Sequence, residues 1–174
     1  MSTTDGYPFI FQMNDYSDKD DLLEYTMQYR FKSTKSNHTY IVRAERYIGH
    51  AYCIKFFDKA NMLSDYKFSL RTGTFEPRRI FYTLFNIMLD ILRRDSKASF
   101  FYIGETDEKD KMGKVTRRFR VYSMFTSSTV SENHFYHYSY PEFSLYVLVN
   151  QEHVEDTDAY AERIRYEVSK AFGG

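Results

Sequence analysis

The sequence predicts an α+β domain, a mainly antiparallel sheet with helices packed on it, in the order ββββ-α-β-α-ββ-α. Three observations carry this. Up to Leu70 the apolar side chains recur at every second residue, and after Thr74 they recur at helical spacing. The third is compositional: aromatics make up 19% of the chain, with 17 Tyr, 16 Phe and no Trp. A phenol wants one wet or hydrogen-bonded end, which suits half-buried strand faces.

Taken in order, "LEYTMQYRF" puts Leu23, Tyr25, Met27, Tyr29 and Phe31 on one face of the first clear strand. "KSTKSN" is a polar turn, and "HTYIVRAERY" resumes with Tyr40, Val42 and Ala44 together. Gly49 marks a break before "HAYCIKFF", where Tyr52, Ile54 and Phe56 alternate with Ala51, Cys53 and Phe57. "DYKFSLR" completes four strands whose short connections read as an antiparallel meander. "TFEPRRIFYTLFNIMLDILRRD" then carries Ile80, Phe81, Leu84, Phe85, Met88, Ile91 and Leu92 along a broad helical stripe. Thr74 is its expected N-cap, Pro77 fits the first turn, and Arg93 and Arg94 suit the C-terminal dipole.

"ASFFYIG" is a buried strand, and "KMGKVTRRFRVYSMF" is a helix with Met112, Val115, Phe119, Tyr122 and Phe125 inward. "HFYHYSYPEFSLYVLVN" reads as two strands around a Pro141–Glu142 turn. The tail, capped near Asp156, is an amphipathic helix burying Tyr160, Ile164, Val168 and Phe172. Residues 1–22 form an acidic extension in which "YPFIF" would add an edge strand, and residues 23–174 form the domain.

The chain has 174 residues, 43% hydrophobic, with three prolines and seven glycines, which describes a packed globular protein rather than a disordered one. One cysteine, Cys53, excludes an internal disulfide and fits a reducing cytoplasm, and no apolar run is long enough to cross a bilayer. The expected localisation is cytoplasmic. The formal net charge is zero, yet residues 1–24 carry six acids against Lys19, while residues 25–151 hold a basic excess. Such asymmetry suits a basic surface that attracts anions.

"YIGETDEKDKMGKVT" has the letters of a phosphate loop without its spacing. Eight residues separate Gly104 from Gly113 where four are required, and four of the eight are acids that would repel phosphate. The stretch is a strand-to-helix corner, with Thr106 or Asp107 expected as the cap and Asp107 able to pair with Arg117, Arg118 or Arg120. "FFYIGETD" followed by "RRFRVY" resembles a layout found in uncharacterised families of small bacterial α+β proteins. That resemblance implies a bacterial or phage source and no assigned activity.

The element order from residue 39 onward also resembles the acyl-CoA-dependent N-acetyltransferase (GNAT) fold. The resemblance implies that "LRTGTFEPRR" would cradle a pyrophosphate through Arg71, Gly73, Arg78 and Arg79, with Tyr122 as general acid for the departing thiolate. The second glycine of that loop is absent, and Pro77 has no amide to donate.

Asp58 and the Asp65–Lys67 pair lack the spacing and the upstream acid of a metal-dependent nuclease. Glu45 is expected to pair with Arg43 or Arg46, or to face water. His134 and His137, three apart on a strand, point to opposite faces and share no metal. No metal or cofactor is expected. Tyr136, Tyr138 and Tyr140, with His134 in line, form an aromatic ladder. With Arg117, Arg118 and Arg120 it would offer stacking faces and cations to single-stranded nucleic acid, or an anchor-rich surface to a protein partner or a second copy. The sequence therefore reads as a non-enzymatic binding module of otherwise unknown function, with protein partner or self-association ahead of nucleic acid and no membrane contact. The alternative is a GNAT-like acyltransferase.

Overall fold

The computed structural model describes residues 5–63, 76–104 and 115–171. The fold is α+β, with antiparallel strands and three α-helices in the expected order ββββ-α-β-α-ββ-α. The chain divides into two compact units, Met1–Ala98 and Ser99–Gly174. No described helix is long and apolar enough to cross a membrane.

In the first unit, β1 (Phe9–Asp15), β2 (Leu23–Lys32), β3 (Thr39–Tyr47) and β4 (Ala51–Asp58) lie side by side in chain order. The fourth strand of the opening set is thus β1, inside the segment read as an acidic extension. The expected strand "DYKFSLR" and the N-cap Thr74 lie outside the described residues. The β3–β4 hairpin closes through Ile48, Gly49 and His50. Gly49 (φ 82°) and His50 (φ 60°) both adopt the left-handed conformation, which is cheap for glycine and uncommon for histidine.

Helix α1 (Pro77–Arg94) has proline in its first turn and two arginines in its last, as expected. Its buried stripe holds Ile80, Phe81, Leu84, Phe85, Ile87 and Ile91, whereas Met88 and Leu92 are only half-buried. It packs on the face of the sheet that carries Tyr29: the Tyr29 hydroxyl donates to Asp90 at 2.7 Å, and the Arg94 guanidinium stacks 4.2 Å above Phe11. The N-terminal segment is tied to the same helix, because the Tyr7 amide donates to Thr83 Oγ1 at 2.8 Å. The Tyr7 and Ser33 hydroxyls both donate to the buried Glu76 carboxylate, at 2.5 and 2.6 Å.

In the second unit β5 (Ser99–Ile103), β6 (Phe135–Tyr140) and β7 (Leu145–Asn150) pair antiparallel in the order β5-β7-β6. All six residues of β7 are buried, as befits a central strand covered on both faces. Helix α2 (Arg117–Thr129) starts later than the sequence suggested. Thr116 is extended, and its hydroxyl accepts the Phe119 amide at 3.2 Å, so the cap is Thr116. Thr106, Asp107 and Met112 lie outside the described residues. Gly104 is the pivot of this corner: a Cβ there would sit 2.3 Å from Thr116 Oγ1 and 2.7 Å from the Phe119 amide nitrogen. Helix α3 (Thr157–Ala171) is capped by Asp156, which accepts the Ala159 amide, and buries Ala161, Ile164 and Val168. Tyr160 is half-buried, and Phe172 lies outside the described residues.

Candidate functional site

The aromatic ladder forms on β6, where Tyr136, Tyr138 and Tyr140 face Val149, Val147 and Leu145 across the ladder. This is the α3 side of the sheet. The Tyr138 hydroxyl donates to Asp158 and accepts from the Thr157 hydroxyl at 2.8 Å, and Tyr140 donates to Glu162 at 3.3 Å. Burial, then the Glu162 carboxylate, pushes the Tyr140 phenol up to about 12. Burial and the Asp158 bond raise Tyr138 likewise. Tyr136 alone presents a largely open ring, 49% exposed. His134 precedes the strand and leans on Glu152 at 3.3 Å.

The opposite face of the same strands carries His137, Tyr146 and Tyr102, and α2 covers it. Tyr102 stacks on Tyr146 with rings 5.5 Å apart, and its hydroxyl donates to Ser123 on α2 at 3.2 Å. His137 Nε2 lies 3.0 Å from the Val130 carbonyl, which can only accept, so the proton sits on Nε2. Nδ1 then accepts the Tyr146 hydroxyl at 2.6 Å. Burial holds this imidazole below the usual histidine range, in its neutral form. Arg117 and Arg120 are exposed on α2, Arg118 is half-buried, and Arg120 donates to the Val115 carbonyl at 2.9 Å. The ladder and these arginines thus belong to opposite faces of the β5-β7-β6 sheet, and the structure does not bring them into one surface.

Of the residues implied by the acyltransferase resemblance, Arg71 and Gly73 lie outside the described residues. Arg79 covers the Tyr7 ring at 4.2 Å. Arg78 leans on Tyr82 and reaches Asp5 at 3.5 Å. Tyr122 stands half-buried on α2.

Two carboxylate–imidazole pairs emerge in the first unit that the sequence did not announce. His50 Nδ1 lies 2.8 Å from Asp95 just beyond α1, where Tyr52 also donates at 2.9 Å. Burial works against ionisation of Asp95, but the His50 and Tyr52 bonds outweigh it and hold the carboxyl below its ordinary range. Arg46 stands beside the cluster, 4.0 Å from Asp95 and over the Tyr52 ring, and donates to the Tyr25 hydroxyl at 2.7 Å and reaches Glu24 at 3.5 Å. His38 pairs with the buried Asp58, whose other oxygen caps the following 3-10 turn through the Ala60 amide. Both pairs join residues 20 or more apart, so no local spacing could reveal them. Each orients an imidazole, and each also fastens a loop: His50 ties the β3–β4 hairpin to the end of α1, and His38 ties the β2–β3 turn to β4. Glu45 takes Lys55 at 3.2 Å rather than either arginine, because Arg43 is held by Asp15 at 2.8 Å. Among the described residues no group of three His, Cys, Asp or Glu side chains is placed to hold a metal ion.

A further open feature is β1 itself. Among the described residues it lies at one end of the strand order and pairs along one side only. The register shifts between Phe11 and Met13, so that Ile10 faces Arg30 and Met13 faces Gln28. Arg30 and Gln28 share a face of β2, and the bulge therefore puts Ile10 and Met13 on one face. They are 56% and 45% exposed. Phe11 points the other way, under Arg94. From Phe9 to Asn14 the strand carries no charge. Natural edge strands are ordinarily guarded by a lysine, an inward charge or a proline; here Phe9–Asn14 holds none of these, and the guards within the strand are the bulge at Gln12 and the terminal Asp15.

Comparison with protein-family models, with curated proteins and with solved structures finds no match to this chain.

Proposed function

We propose that the protein is a non-enzymatic interaction module that binds an extended protein segment by strand addition to β1. The observation that supports this most directly is the uncharged, one-sided edge of β1 with Ile10 and Met13 exposed on one face. Unpaired backbone groups along an edge supply affinity to any extended chain, and alternate side-chain positions supply selectivity. A protein partner is favoured over nucleic acid because two of the three ladder tyrosines, Tyr138 and Tyr140, are bonded to α3 at Asp158 and Glu162, whose charges repel phosphate. Selection from a displayed library of random octapeptides, with the amide resonances of the full chain as readout, tests the reading. Enriched peptides should alternate apolar residues and shift the amides of residues 9–15. Binders that leave β1 unshifted, or no binders at all, would overturn it.

A further inference from the structure

We infer that the segment added to β1 is β1 of a second copy, running antiparallel about a two-fold axis through the middle of the strand. This rests on the strand-addition reading above and commits it to one occupant. Two features single out the chain itself. The first is that Phe9–Asn14 is uncharged throughout, so a copy laid against it meets no like charge within the paired region. The second is the charge at the two ends. Beyond the C-terminal end of β1 stand Asp18, 73% exposed, and the exposed Asp20 and Asp21 against the exposed Lys19, while Arg43 holds Asp15 at 2.8 Å and reaches Asp18 only at 4.0 Å, which leaves that end acidic. Beside its N-terminal end stand Arg30, register partner of Ile10, and the exposed Lys32, next to Phe31, which pairs with Phe9.

An antiparallel copy sets each acidic end against the other copy's basic end, twice by symmetry. A parallel copy stacks like on like. Complementary fields of this kind fix orientation and suppress wrong registers. A two-fold contact is also self-consistent, since one patch serves both partners and the assembly closes at two copies. Ile10 and Met13 of one copy meet their counterparts on the same face of the joined sheet. One strand pair buries less than a standard interface, so the dimer is a weak one, with Kd on the order of 1–100 µM.

Sedimentation velocity of the full chain across that concentration range is the test. A monomer–dimer equilibrium is expected, and Ile10→Lys should leave only monomer while its thermal unfolding stays unchanged. Tyr136→Lys, on β6, should leave the equilibrium where it was. Asp18→Lys and Lys32→Glu should each weaken association by about fivefold, and the double reversal should restore it. A chain that is monomeric throughout, a dimer indifferent to Ile10→Lys, or a double reversal no better than the singles would overturn the proposal. If the chain is monomeric yet selected peptides still shift residues 9–15, strand addition stands and the self-pairing fails. If neither occurs, both fail.

Discussion

The two units each end in an edge strand, and the edges are finished in opposite ways. β6 is rich in polar aromatic groups, and both its faces are fastened: Tyr138 and Tyr140 to α3, His137 to Tyr146 and to the Val130 carbonyl. β1 is fastened on one face through Phe11 under Arg94, while its other face is tied only by polar bonds from Arg43 to Asp15 and from Gln28 to Gln12 and shows the Ile10 and Met13 side chains to solvent. With Tyr138 and Tyr140 committed inward, β6 keeps only the Tyr136 ring open to a visitor. The difference teaches that polarity is a poor guide to a binding surface. Tyr138 and Tyr140 look adhesive in the sequence but are spent internally, while Ile10 and Met13 of the plain segment "FIFQMN" are left unspent.

The comparison can be broken most forcefully at the corner that holds α2 against the β6 side. Gly104→Val puts branched carbon where Thr116 Oγ1 and the Phe119 amide already stand. It should destabilise the protein by about 3 kcal/mol in urea titration. Amide exchange should quicken in β6 and stay unchanged in β1; equal quickening in both would show that the two edges are not separately supported.

His137→Leu comes next. It strips the Tyr146 hydroxyl and the Val130 carbonyl of a partner and should cost about 2 kcal/mol at pH 7.5. It also removes a titration. Because burial sets the folded pKa of His137 below the ordinary 6.5, its neutral form contributes fully above that value, and the contribution is lost as pH falls toward the folded value. The natural protein should therefore lose more stability between pH 7.5 and pH 5 than the variant does.

Tyr138→Phe is milder. Loss of the bonds to Thr157 and Asp158 should cost about 1 kcal/mol in the urea midpoint and leave the oligomeric state untouched. The smallest effect belongs to the end of β1. Hydrogen bonds from Ser17 and then Arg43 hold the Asp15 carboxyl at about 2 against an ordinary 3.8. Its contribution is complete above 3.8 and disappears as pH falls through about 2. Asp15→Asn should flatten the acid limb of the stability profile in that window, by about 1 kcal/mol for a half-buried pair at the sheet's edge.

Periodicity in the sequence carried most of the fold. Tyr25 to Phe31 and Ile80 to Ile91 state their secondary structure in their own spacing, because burial on one face is a local property of strand and helix. The late start of α2 was missed because Thr106, Asp107 and Thr116 are all acceptable caps, and only the close approach of Gly104 to Thr116 selects among them. The site was harder to read. That the ladder and the α2 arginines fall on opposite sheet faces depends on which helix covers which face, a decision taken by residues far apart in sequence. His50 meets Asp95 and His38 meets Asp58 only once the hairpins have closed. The edge was half legible: "YPFIF" announced a strand, but its exposure follows from the bulge, which leaves no composition signal.

The extra residue at Gln12 works as a break in the seam. With it removed and the flanking pairs kept, Phe11 would still oppose Tyr29 and Met13 would still oppose Gln28, so every side chain would keep its face and the ladder would run without interruption. One codon thus separates a kinked margin from an unbroken row of amides and carbonyls, and governs how far a neighbour could zip along it without changing the side chains it would meet.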